Sequence, residues 1–142
     1  MSLSNSAENS IALLIFNATA WANIADNAAS SPLTNLYVSF HTSDPGEAGS
    51  QTTNETSYTS YARVAVARSG SGWTVTGNSV SPAANVDAPQ CTGSTATLTH
   101  FGIGSASSGA GVLIGSGTLT PNISVSSGVT PRLSTSTTIT FD

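Results

Sequence analysis

The sequence has no lysine, one cysteine and three arginines, and charged residues make up only 7% of it, against about 25% in ordinary soluble proteins. Each shortage closes off a class of function. Without lysine there is no Walker phosphate loop, no Schiff-base chemistry and no Ser–Lys dyad. The arginines Arg63, Arg68 and Arg132, set against a net charge of −4, provide no basic stripe to neutralise phosphates, so no direct nucleic-acid partner is expected. Cys91 stands alone, which leaves neither a disulfide framework nor a zinc-type cluster, and it is expected to be buried and inert. The apolar run at 11–16 is six residues long, where a membrane span needs about twenty. Its flank lacks lysine and arginine, so no targeting peptide is read and synthesis in the cytosol is expected.

Serine and threonine fill the gap, at about a third of all residues. Hydrophobic residues still reach 38%, and they fall in alternating runs, which argues for a folded β protein over a disordered one. Residues 1–142 are read as a single domain, with an N-terminal helical segment over 1–28 and a β domain over 35–142. The expected fold is mainly β: an antiparallel sandwich or barrel with a short N-terminal α-helix.

The helix is predicted over residues 4–17, capped by Asn5 with Glu8 reaching back to it. Ile11, Leu14, Ile15 and Ala18 form one face, and Leu13 and Phe16 a second, so the segment needs burial on more than one side. A short second helix is expected over 20–28 around Trp21, ended before Pro32.

Strands follow at 36–41, 58–68, 73–76, 96–103, 112–120, 122–126 and 132–141. The 73–76 strand is expected to form a hairpin with 61–68. Pro82 and Pro89 mark 79–89 as an edge or a surface excursion, and Pro121 separates two strands. In 58–68, alternation places Val64 and Val66 inward. The opposite assignment points Arg63, Ala65 and Ala67 inward and requires a buried acidic partner for Arg63. The loop 42–60 holds five threonines, two of the three glutamates and the turn signal Asp44-Pro45-Gly46, and it is expected to cross the surface.

His41, Asp44, Glu47 and Glu55 are the residue types of a metal or acid–base site. The simpler reading, taken here, ends a strand at His41 and caps a turn with Asp44. The nucleophile elbow Gly-x-Ser-x-Gly is absent, and Gly102-Ile103-Gly104 lacks the third spaced glycine of a dinucleotide loop. No catalytic, cofactor or metal residue is assigned, and no enzyme is expected. Arg63 and Arg68 are read as forks for carboxylates, within the chain or on a neighbour.

The run LYVSFHTSDPGEAGSQTTNETSYTSYARVAVAR at 36–68, GWTV at 72–75 and ENSIALLIFNATAW at 8–21 resemble a group of small tailed-bacteriophage virion proteins. These are labelled head decoration (cement) proteins or tail-fibre-like proteins. The resemblance implies a non-enzymatic decoration protein, a homotrimer made in the host cytoplasm, that binds the major capsid protein on the outer surface of the head and clamps capsomers. The alternative it carries is a tail-fibre or glycan-binding component, with Tyr58 and Trp73 stacking on sugars. No membrane partner is implied. The interface candidates are Ile11, Leu14, Phe16, Trp21, Asp44, Glu47, Glu55, Tyr58, Arg63 and Arg68.

Overall fold

The computed structural model describes residues 4–21, 24–25 and 32–141. The protein is mainly β, with antiparallel sheets, one short N-terminal helix and no closed barrel among the described residues. The chain forms two compact units, each assembled from separate segments. Unit 1 takes Met1–Asn35, Val66–Asn85 and Ser134–Asp142, and unit 2 takes Leu36–Ala65 and Val86–Leu133.

In unit 1, helix α1 spans Asn5–Asn17. Its cap is Ser4, not Asn5: Ser4 has extended geometry, and its hydroxyl accepts from the Ala7 amide at 3.3 Å. That shift puts Glu8 one position too far along for a capping box. Glu8 instead joins Ala12 and Phe16 in the buried stripe, while Ile11, Leu13, Leu14 and Ile15 are half-buried. The helix stops at Ala18, which adopts a left-handed φ of 54° and donates its amide to Leu13 O.

The helix packs against strands β3 (Trp73–Thr76) and β4 (Ser79–Pro82). Phe16 meets Trp73 edge-on at 5.0 Å and Phe141 at 6.0 Å between ring centroids. These strands form a sheet in the order β3-β4-β9, where β9 is Ile139–Thr140. The hairpin partner of 73–76 is therefore 79–82 and not 61–68. The Gly77-Asn78 turn supplies the reason, since Gly77 takes the positive φ of 62° that a tight reversal needs. The expected edge at 79–82 is the centre of its sheet, and Pro82 is tolerated as the strand's last residue. Where a second helix was expected, Trp21 and Ala25 exchange reciprocal backbone hydrogen bonds of 2.8 and 2.9 Å across a turn. The remainder of 20–28 lies largely outside the described residues.

A four-stranded sheet in the order β2-β1-β6-β7 (β2 Val64–Ala67, β1 Asn35–His41, β6 Ala96–Gly104 and β7 Leu113–Val125) lies in unit 2 except for Asn35 and Val66–Ala67, which fall in unit 1. Val66 is buried and Ala65 and Ala67 are exposed, as the alternation predicts. Pro121 does not divide β7. Leu98 pairs with Ile123 but His100 with Thr118, so extra β7 residues loop out between them and absorb the proline's missing N–H. A smaller pair, β5 (Val86–Asp87) with β8 (Arg132–Leu133), completes the unit. The single closing strand expected over 132–141 is thus two short strands, β8 and β9, in different sheets. Cys91 is buried, its thiol donating to Gly93 O at 2.7 Å.

Candidate functional site

The long loop runs over the surface as expected, and a few buried residues of its own, among them Pro45, Gln51 and Thr56, anchor it. After β1, residues 53–56 return beside the strand's end. His41 bridges Glu55, Thr42 N–H donates to Asn54 O at 2.9 Å and Thr56 N–H to Phe40 O at 2.9 Å. Asp44 accepts from Gly46 N–H at 2.9 Å and closes the turn as expected. Gly49 is required by contact, since a Cβ there would lie 2.1 Å from Pro45 O.

At the loop's centre Gln51 is 0% exposed. Its Nε2 donates to Ala106 O at 3.3 Å, its Oε1 accepts from Ala106 N–H at 2.9 Å, and its own amide donates to Ala110 O at 2.8 Å. Gly104 and Gly111 make room for it, because a Cβ on either would fall 2.1 or 2.2 Å from the Gln51 side chain. Gln51 thus ties the 42–60 loop to the 105–111 loop.

Arg63 makes the second tie: it is inward with an acidic partner, while Ala65 and Ala67, which the opposite assignment also turned inward, are exposed and Val66 is buried. Its Nε and Nη2 grip the two Glu55 oxygens at 2.7 Å each, Nη1 donates to Ala106 O at 2.9 Å and Nη2 to Gly109 O at 2.7 Å. The two side chains are 3% and 14% exposed. The hydrogen bond with Glu55 pushes the Arg63 pKa above its ordinary value. Tyr61 O–H donates to Glu55 at 2.8 Å and accepts from Phe40 N–H at 3.1 Å; burial raises its pKa well beyond the ordinary phenol value.

His41 is buried beneath these loops. Its Nδ1 lies 2.9 Å from Thr53 O, which fixes the proton there, and its Nε2 faces Ser39 Oγ at 2.8 Å. The pair covers Gly102, where a Cβ would meet His41 Nε2 at 2.7 Å. Burial lowers the His41 pKa, partly countered by the Thr53 carbonyl and Glu55. Asp44 and Glu47 are exposed and, with Leu113–Ser116, line a hollow of about 340 Å³. Thr42, Glu55–Tyr58 and Ser94–Ala96 line a second, hydroxyl-rich hollow of about 320 Å³. Among the described residues no three His, Cys, Asp or Glu side chains gather as metal ligands.

The other interface candidates divide sharply. Phe16 is a core residue of unit 1, Tyr58 is 4% exposed with its hydroxyl donating to Pro89 O at 2.8 Å, and Trp73 is fully buried. Burial removes Tyr58 and Trp73 as platforms for sugars. Arg68 donates to the Leu14, Ile15 and Leu33 carbonyls. It thereby places a cation at the C-terminus of α1, whose own last turn has none. Ile11, Leu14 and Trp21 are half-buried. Gln51, Tyr61 and Ser39 escaped the sequence reading, since nothing local marks a glutamine in a polar loop as a buried anchor.

Residues 2–140 match the family described as podophage GP4 fiber I protein gp80. The chain belongs to that family. Among curated proteins none matches it. For a gp80-family chain the hub described above reads as loop scaffolding: the hydrogen-bonding positions of Glu55, Arg63 and the His41 ring are occupied from within the chain. What remains outward is Asp44, Glu47 and the two hollows.

Proposed function

We propose that this phage virion structural protein serves in a fibre, as a non-catalytic building block whose stiffened loops present a contact surface. The observation that carries the reading is the family match across 2–140, whose description names a fibre protein. The stitched loops support it. Gln51 and Arg63 hold 42–60 and 105–111 in one conformation, so little ordering entropy remains to be lost when a partner binds. Contact with the outside of the head, as a cement protein bound to the major capsid protein, is the competing placement.

Immunogold labelling of purified virions with an antibody to this chain tests the proposal. Label confined to fibres, at a copy number consistent with a few appendages per particle, is the expected result. Label spread evenly over the head, in hundreds of copies, would overturn the fibre placement in favour of decoration.

A further inference from the structure

We propose that the hydroxyl-lined hollow beside the start of β6 binds a single neutral pyranose sugar, held by hydrogen bonds alone. The hollow, about 320 Å³, lies wholly within unit 2, and Thr42, Glu55, Thr56, Ser57, Ser94 and Thr95 supply its polar wall. That size is at the small end of the range for ligand sites. Thr56 is 4% exposed, and its hydroxyl has no hydrogen-bond partner among the described residues. A hydroxyl enclosed in that way lowers stability unless something bonds it, and Thr56 stands on the wall of the hollow. Glu55 is the second open group. Arg63 and Tyr61 together donate three hydrogen bonds to its carboxylate, which leaves one of roughly four acceptor positions. Ser57 and Thr95 are exposed, and Ser94, at a left-handed φ of 63°, is held in place where its Oγ accepts from Thr59 N–H at 3.0 Å.

The wall selects the class of ligand. Anions are disfavoured, because the nearby guanidinium of Arg63 is committed to Glu55 and to the 105–111 loop, and the one charged group on the wall is the Glu55 carboxylate. An apolar group finds little to cover, since Tyr58 is enclosed with its hydroxyl donating to Pro89 O, and Ala96 is the one aliphatic residue of the wall. A sugar presents the complementary set. Each of its hydroxyls both donates and accepts, as each serine and threonine of the wall does. A donated proton suits the remaining lone pair of Glu55, and either role suits Thr56. Arg63, Tyr61 and Thr59 fix the wall beforehand, so little ordering is left to the ligand. Without an aromatic platform the affinity is expected to be weak, in the millimolar range. The inference gives a ligand class to the contact surface proposed above and rests on that reading for its biological setting; failure to bind sugar would leave the immunogold outcome untouched.

Titration of the isotope-labelled full chain with D-glucose, D-galactose, D-mannose and L-rhamnose, followed through amide chemical shifts, tests it. At least one of the four is expected to move the Thr56, Ser57 and Thr95 amides saturably. Thr56→Val, which keeps the side chain's shape and removes its hydroxyl, is expected to weaken that binding about tenfold or more. Thr76→Val, on an exposed position of β3 in the other unit, should leave it unchanged. If Thr56→Val fails to fold, Thr95→Ala, at an exposed position of the wall, takes its place with the same loss expected. Amides at 56, 57 and 95 that respond to none of the four sugars, wild-type affinity in the wall variant, or an equal loss with Thr76→Val would each overturn the proposal.

Discussion

Arg63 shows how a single residue's role depends on what is desolvated around it. Its bidentate pair with Glu55 is nearly dry, so removing one partner strands the other charge, at a cost of about 3–5 kcal/mol. Arg63→Ala is expected to lower the denaturant midpoint strongly, whereas Arg132→Ala should barely move it, because the Arg132–Asp87 pair lies in solvent. His41 makes a pH prediction whose sign follows from its lowered folded-state pKa. Below about its ordinary value of 6.5, the unfolded chain takes up a proton that the buried ring resists. Stability should therefore fall as pH drops from 6.5 towards the folded pKa. In His41→Asn, less stable overall, thermal melts over that window should lose this slope; an unchanged slope would place its origin elsewhere.

At the scale of elements, α1 is a core element of unit 1. Its apolar circumference called for burial on more than one side, and Phe16 finds it against Trp73 and Phe141, while Arg68 satisfies carbonyls at the helix end. Phe16→Ala should cost about 3–5 kcal/mol through the cavity it leaves. Thermal denaturation and near-ultraviolet dichroism of Trp73 would register the loss. A melt like the wild type's would return α1 to the role of an interface segment. β7 is the contrasting element: it continues past Pro121, where the proline suggested a break between two strands, because extra residues loop out of the register there.

For the whole molecule, scarcity of charge has a direct consequence. Of the two ion pairs among the described residues, one is buried and one exposed, so added salt has little to screen. Melting temperature is expected to change little between low and high sodium chloride concentration. A pronounced salt dependence would mean that long-range repulsion among the acidic groups matters more than local packing.

Composition and alternation by themselves determined the mainly β class, the N-terminal helix, β1, the β3 strand and the inward Val66, because side-chain period and helix spacing are local properties of the chain. Asp44-Pro45-Gly46 was legible for the same reason: the carboxylate, the fixed φ and the glycine act within one turn. Tertiary structure alone decided the hairpin partner of β3, the passage of β7 through Pro121 and the division of the last strand. These are choices among pairings that the pattern permits equally, settled by a turn glycine, a bulge and the neighbours available. It also decided the site. Glu55 and Arg63 were visible as candidates for an interface, but whether a charge faces a partner or lies buried against its own chain depends on which groups distant in sequence surround it. Gln51 had no local signature at all, since its role exists only through the space left by Gly104 and Gly111.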